Sequence, residues 1–372
     1  MLVALPVGLL ASPGSGGSDR AESLLLKSMR RELSVNVIAV LVQRDPFAEG
    51  SFQTVRIERN RQGWNHYTVL EPLRMQGMEA VDDGSRLKLY FPDRNLMIDQ
   101  DSPLLLPDDA EWRMALAKKN YEIRFTRPTK VAGRETKCIR ATPHDARVAE
   151  RRYYIDAKTG YPLRLEILEG DQRRIQFDTR EIQFPESIDT NRFKMSPVGT
   201  ARKMVYRRPQ NLTENEAKGK VGFHPIVPGT FPMGFQMQEM QMTSGDSWRA
   251  LVMRLTDGLV KVTVYQWRGS GPARVRAMDS STAGDAGETK LLVVSDLPPS
   301  VRKEFLEAFQ RAAQQMARAE HPAVWSAGDY GLSWVTASGP PEPSAACNRF
   351  FGVSRAMFPL GTMAKTLFPP RS

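Results

Sequence analysis

The sequence predicts an α+β protein: a strongly curved antiparallel sheet, a half-barrel with helices on its concave side, followed by a smaller α+β C-terminal domain. Three observations lead there. Between residues 35 and 184, short segments of period-two hydrophobicity follow one another, the mark of half-buried strands. Turn residues such as Asp82-Asp83-Gly84 join them at hairpin spacing, where glycine supplies the positive φ of a tight turn. Only one or two helical patterns interrupt the run, so helices can cover just one side of the sheet.

The chain opens MLVALPVGLLASPGSGGSDRAES: about ten apolar residues, then small residues, then a Gly/Ser spacer, the length of a signal-peptide core and too short to span a bilayer. A basic segment ahead of it is missing, so a plain apolar start stays open beside export. Residues 1–18 are read as signal peptide and spacer with cleavage near residues 11–17, which places the mature protein outside the cytoplasm. No later stretch reaches transmembrane length, and the mature protein is expected to be soluble. A helix is expected over 19–33, with Leu24, Leu25, Met29 and Leu33 on one stripe. VNVIAVLVQRD (35–45) is apolar on both faces, as a strand covered on two sides would be. VRIERN, WNHYTVLEP, RMQGMEAV and RLKLYFPDRNLMI continue the strands. DDAEWRMALAKKN (108–120) reads as a helix that Asp108 can cap. NYEIRFTRP, ETKCIRATP, RRYYIDAKTGYPLRLEILEGD, RRIQF and REIQF complete the domain, placed at 19–195.

Residues 196–230 are basic and punctuated by proline and glycine, as linkers are. Their Arg202, Lys203, Arg207, Arg208, Lys218 and Lys220 suit an acidic partner, anionic lipid or simply solvent. A second domain is expected over 231–319. It has strands around Asp257-Gly258, ARVRAMD and TKLLVVSDL flanking a Gly/Ser/Asp loop (279–288), and a helix after Pro298-Pro299 with Val301, Phe305, Phe309, Ala312 and Met316 on one stripe. Met233, Met237, Met240, Met242 and Met253 suit either an adaptable apolar surface or ordinary core. Residues 320–372 lose periodicity and read as an irregular tail.

Composition narrows function mostly by exclusion. The 372 residues carry 52 Lys and Arg against 42 Asp and Glu, a net charge of +10 that suits an acidic partner or an ordinary envelope protein. The arginines of the strands alternate with glutamates, which describes a solvated face and not a phosphate track, so no nucleic-acid partner is expected. Two cysteines, Cys138 and Cys347, belong to no ligand spacing, and whether they pair is undecided. His66, His144, His224 and His321 share no metal spacing. Dinucleotide, P-loop, zinc-protease and nucleophile-elbow motifs are absent from the sequence, so no catalytic residue, cofactor or metal is expected. Asp82-Asp83 read as turn residues rather than paired catalytic carboxylates.

The segment YTVLEPLRMQGMEAVDDGSRLKLYFPDRNLMI resembles the strand–turn–strand passage of lipoprotein-carrier (LolA-like) folds, with Asp83-Gly84 before a strand that ends in Tyr90-Phe91-Pro92. KVAGRETKCIRATPHD and the Asp156…Thr159-Gly160…Pro162-Leu163-Arg164 pattern are similar to that superfamily's later strands. With PGTFPMGFQM, LTDGLVKVTVYQW and LVVSDLPPSVRKEFLEAFQ, the chain over about 19–318 resembles periplasmic sigma-E regulators of the RseB/MucB type. The resemblance implies a non-enzymatic envelope-stress sensor. Its half-barrel would take a lipid or lipoprotein acyl chain, and the whole would bind the extracytoplasmic part of a membrane-spanning anti-sigma factor and limit its proteolysis. A carrier of the LolA class without a regulatory partner is the alternative, and homo-oligomerisation stays open. Chosen by alternation, Trp64, Leu87, Leu89, Phe91, Ile123, Phe125, Leu163, Leu165 and Ile167 are the candidate cavity residues, although plain core is the favoured reading for any one of them.

Overall fold

A computed structural model describes residues 16–30, 34–44, 51–105, 108–195, 199–206, 210–244, 248–269 and 281–320. The apolar N-terminal segment, Cys347, ARVRAMD and the tail after residue 320 lie outside the described residues. Contacts divide the chain into two compact units. The described part of the first runs to Val205 with the addition of Thr256–Lys261, and the described part of the second holds Tyr206–Leu255 and the residues from Val262 to Glu320.

The first unit begins with α1 (Gly16–Met29), which turns inward Ala21 and Leu25. Six strands follow: β1 (Val37–Arg44), β2 (Phe52–Arg59), β3 (Asn65–Glu71), β4 (Glu79–Asp82), β5 (Arg86–Phe91) and β6 (Leu96–Asp101). Helix α2 (Ala110–Asn120) interrupts, and then come β7 (Tyr121–Thr126), β8 (Lys130–Val131), β9 (Arg134–Pro143), β10 (Glu150–Asp156), β11 (Pro162–Glu169), β12 (Gln172–Gln183) and β13 (Arg202–Tyr206). They form one 13-stranded sheet in the order β13-β6-β5-β4-β3-β2-β1-β12-β11-β10-β9-β7, with β8 paired to β9. Two antiparallel meanders therefore meet where β1 pairs with β12. The sheet curves but does not close, since β13 and β7 end the order unpaired with each other. Right-handed twist bends any large sheet, and register shifts at Val40/Leu41, Thr54/Val55, Tyr154/Ile155 and Leu165/Glu166 add the local kinks that bulges produce.

The turns form as their residues dictate. Asp83 Oδ1 accepts from the Ser85 and Arg86 N–H groups and Asp82 Oδ1 from that of Gly84, whose φ is +87°. Asp156 Oδ1 likewise accepts from the N–H groups of Lys158 and Thr159, ahead of Gly160. These aspartates close hairpins by bonding local backbone. Asp108 does accept from the Ala110 N–H at the start of α2.

Four expectations change. Strand β1 is buried on one face only, because its alternate residues are half-exposed. RMQGMEAV is a strand only from Glu79; before it, Leu73–Met75 form a single helical turn. The segment 196–230 is more than a linker: β13 adds to the sheet beside β6, and α3 (Glu214–Val221) is nucleated by a capping box in which Thr213 and Glu216 satisfy each other's backbone N–H. The Gly/Ser/Asp stretch expected as a loop contains a strand, described below.

The second unit is a five-stranded antiparallel sheet in the order β14-β15-β16-β18-β17, from β14 (Gln236–Ser244), β15 (Arg249–Thr256), β16 (Lys261–Trp267), β17 (Ser281–Ala286) and β18 (Thr289–Val294). Helix α4 (Pro299–Glu320) packs on β17 and β18. Its stripe Val301, Phe305, Phe309 and Ala312 is buried as expected, with Phe305 edge-on to Phe235 at 5.0 Å, while Met316 is half-buried. Strand β17 has poor strand propensity, yet it pairs with β18 along its whole length. Gly284 faces α4 here: a Cβ would lie 2.7 Å from Leu306 Cδ2, so a larger residue would require Leu306 to shift. Of the methionines, Met240 and Met253 are core and Met237 is exposed. Among the described residues no helix is long and apolar enough to cross a membrane.

Candidate functional site

The register assembles the apolar face of the large sheet residue by residue, since directly opposed residues share a face. One row runs Phe125–Ile139–Tyr153–Leu165–Phe177–Gln43–Gln53 across seven strands, β7 to β2. A second runs Ala39–Ile57–Tyr67–Ala80–Leu89–Ile98 from β1 to β6. A third joins Ile123, Ala141, Arg151 and Ile167. Ala39 and Gln43 lie two pleats apart on β1, so the first two rows share a face. A direct bond confirms it: Gln43 Nε2 donates to Tyr67 Oη at 2.6 Å, and so does Gln53 Nε2. Burial pushes the Tyr153 phenol up, against the pull of Arg151 and of Arg113 on α2.

Seven of the nine candidate cavity residues come together here: Leu87, Leu89, Phe91, Ile123, Phe125, Leu165 and Ile167. Leu87, Leu89, Ile123 and Ile167 expose 2% or less. Leu165 is half-buried and Phe125 is 40% exposed. The accessible part of the face thus lies at its β7–β11 end.

Two candidates stand outside these rows. Trp64 precedes β3 on the opposite side, its ring edge-on to Phe193 at 6.1 Å and packed over Gly84. Leu163 is the extra residue of the bulge at Tyr154/Ile155, where Tyr154 opposes Arg164 but Ile155 opposes Pro162. It is buried in a cluster with Val37, Ala39, Val131, Cys138, Tyr154 and Tyr161, and so meets the apolar face at Ala39. Alternation misreads Leu163 because it assumes an unbroken pleat, and Trp64 because it stands outside β3. Gln43 and Tyr67 were missed although VLVQRD and WNHYTVLEP hold them in alternating positions, and Gln53 was missed just ahead of VRIERN; the pattern marks polar residues as outward.

The other face is laced with ion pairs. Burial would raise the Glu58 carboxyl, but Arg192 at 2.8 Å and Arg56 at 3.0 Å hold it below its ordinary value. Asp99 behaves likewise between Arg86 and Lys203. Glu166, 1% exposed, takes Arg173 and the Tyr154 hydroxyl, and burial with this bond pushes the Tyr154 phenol up to about 12. Burial also raises the Cys138 thiol, which is therefore poorly suited to nucleophilic work. Among the described residues no three of His, Cys, Asp and Glu gather as metal ligands.

An open, curved antiparallel sheet with helices set against an apolar face is a LolA-like fold. Residues 19–196 match the family model of the MucB/RseB N-terminal domain, and this part of the chain belongs to that family. This N-terminal domain is accordingly of the RseB/MucB type, with a LolA-like fold. A crystal structure of MucB is similar at 17% identity and a TM-score of 0.50, over 78% of this chain and 98% of that one. The Pseudomonas aeruginosa MucA/MucB complex is similar at 16% identity and a TM-score of 0.51, over 77% and 96%. Identities this low make it a likeness of fold. No curated protein sequence matches the chain.

Proposed function

We propose that the protein is a non-enzymatic regulator in the cell envelope that binds the extracytoplasmic part of a membrane-spanning anti-sigma factor and limits its proteolysis. The observation that carries this reading is a MucB/RseB N-terminal domain over 19–196 within a two-unit fold like that of MucB, a protein captured with MucA. The ligand that relieves the regulation is a lipid-like acyl chain taken up at the apolar face, entering where Phe125 and Leu165 are accessible. Because Leu87, Leu89, Ile123 and Ile167 are closed over, uptake requires the face to open. A ligand shifts that equilibrium only through tighter binding to the open form. Each buried methylene contributes roughly 0.8 kcal/mol, so a chain of a few carbons supplies the needed difference.

The test has two arms. A pull-down with the extracytoplasmic segment of a single-pass anti-sigma factor should capture the protein and slow proteolysis of that segment. Absence of capture ends the regulator reading. Organic extracts of purified protein, analysed by mass spectrometry, should contain acyl lipid, and fluorescent acyl probes should bind. A lipid-free protein that ignores such probes removes the ligand.

A further inference from the structure

The apolar face carries a polar strip with unmet hydrogen-bonding capacity. Gln43 and Gln53 stand opposite each other on β1 and β2, and both amides donate to the Tyr67 hydroxyl oxygen at 2.6 Å. Leu41, two residues before Gln43 and so on the same face, is opposed by Thr179 of β12. All four polar side chains are buried, Gln53 to 1% exposure and Thr179 to 2%. Among the described residues Gln53 Oε1 and Thr179 Oγ1 have no hydrogen-bond partner. A buried polar atom left unmet carries its full desolvation penalty, so each of these two destabilises the closed form of the face.

We infer, on the reading that this face takes up an acyl chain, that the strip binds the head of that ligand. The head it takes is neutral and both donates and accepts a hydrogen bond, as a glycerol hydroxyl or a secondary amide does. Gln53 Oε1 is an acceptor and calls for a donor, while the Thr179 hydroxyl can give or take a bond. A carboxylate has no hydrogen to offer Gln53, and its charge would be buried against four uncharged side chains. Arg151, a cation of the same face, stands on β10 in the third row, outside the strip. An ester only accepts, and a bare hydrocarbon leaves both atoms unmet. The first row has the order of such an amphiphile: five apolar or aromatic residues from Phe125 to Phe177, then Gln43 and Gln53. At ordinary strand spacing its apolar part spans roughly 20 Å. The chain lies along that part toward the accessible Phe125 end, and the head meets the strip. The amide–phenol bonds hold Gln43, Gln53 and Tyr67 in place beforehand, so binding has little side-chain freedom left to remove.

The experiment displaces a fluorescent acyl probe from the full chain with four ligands of one chain length: monopalmitoylglycerol, N-methylpalmitamide, methyl palmitate and palmitate. The two donor heads should compete at about tenfold lower concentration than the ester or the carboxylate. The better of the two tells a hydroxyl head from an amide head. Thr179→Val and Gln53→Leu should each reduce that preference to about twofold or less, and Thr179→Ser, which keeps the hydroxyl, should preserve it. Thr179→Val breaks no hydrogen bond of the fold, so it decides the matter even where Gln53→Leu does not fold. No preference for the donor heads, or a preference that the apolar variants keep, overturns the subsite and leaves uptake standing. A protein that binds neither the probe nor any of the four ligands overturns uptake, and the subsite falls with it.

Discussion

Strands β5 and β11 carry the same kind of sequence, RLKLYF and PLRLEILE, and the fold treats them differently. In β5 the burial alternates without a break, with Leu87, Leu89 and Phe91 inside and Arg86, Lys88 and Tyr90 at the half-exposed positions. In β11 it does not: Leu163 and Ile167 are buried, Leu165 is half-exposed and the intervening Glu166 is fully covered. The difference lies in the neighbours. Strand β5 pairs in continuous register with β4 and β6, whereas β11 meets a shift against each of its partners. Alternation is a property of a paired ladder, and a bulge on either side cancels it locally.

Substitutions can break or sharpen this contrast. The largest effect is expected at Leu89→Ala, which removes a 1% exposed side chain from the unbroken ladder. Urea denaturation should show a loss of about 3 kcal/mol, and a loss below ~1 kcal/mol would mean that the face is loosely filled. Glu166→Ala comes next. A glutamate on a nominally polar face should be dispensable, but this one is buried against Arg173 and Tyr154, so ~2–3 kcal/mol is expected. Lys88→Ala, the matching position on β5, should stay within about 0.5 kcal/mol. Equal effects at Glu166 and Lys88 would erase the distinction between the strands.

A smaller, pH-dependent effect is expected at Asp82, beside β5. Burial raises its carboxyl to about 6, although Ser102 and the Gly84 N–H pull the other way. A folded-state value above the unfolded 3.8 means that the protonated form is the one the fold prefers. Its contribution is fully present below the unfolded value and is lost as pH rises through about 6. Asp82→Asn should therefore gain on wild type by ~2 kcal/mol at pH 7.5. The gap should close near pH 4, as read from denaturation midpoints at the two pH values. An unchanging gap would show that Asp82 titrates normally.

The apolar face was legible where local pairing is regular. Leu87, Leu89, Phe91, Ile123 and Phe125 were located from spacing alone, as were the Asp-Gly turns and the stripe of α4. Trp64 escaped because it stands outside the strand whose alternation was extended to it. Strand β17 escaped because Ser281–Ala286 has no strand signal of its own; pairing with β18 makes it one.

By itself the sequence determined the class of fold, the hairpin turns and most of the apolar residues, because these follow from backbone preferences and from periods of two and 3.6 within a few residues. Only the tertiary structure decided which apolar residues meet, where the pleat slips, that Gln43, Gln53 and Tyr67 sit on the oily face and that Glu166 is enclosed. Those outcomes depend on register between segments up to about 140 residues apart, such as β1 and β12. No local window contains that information.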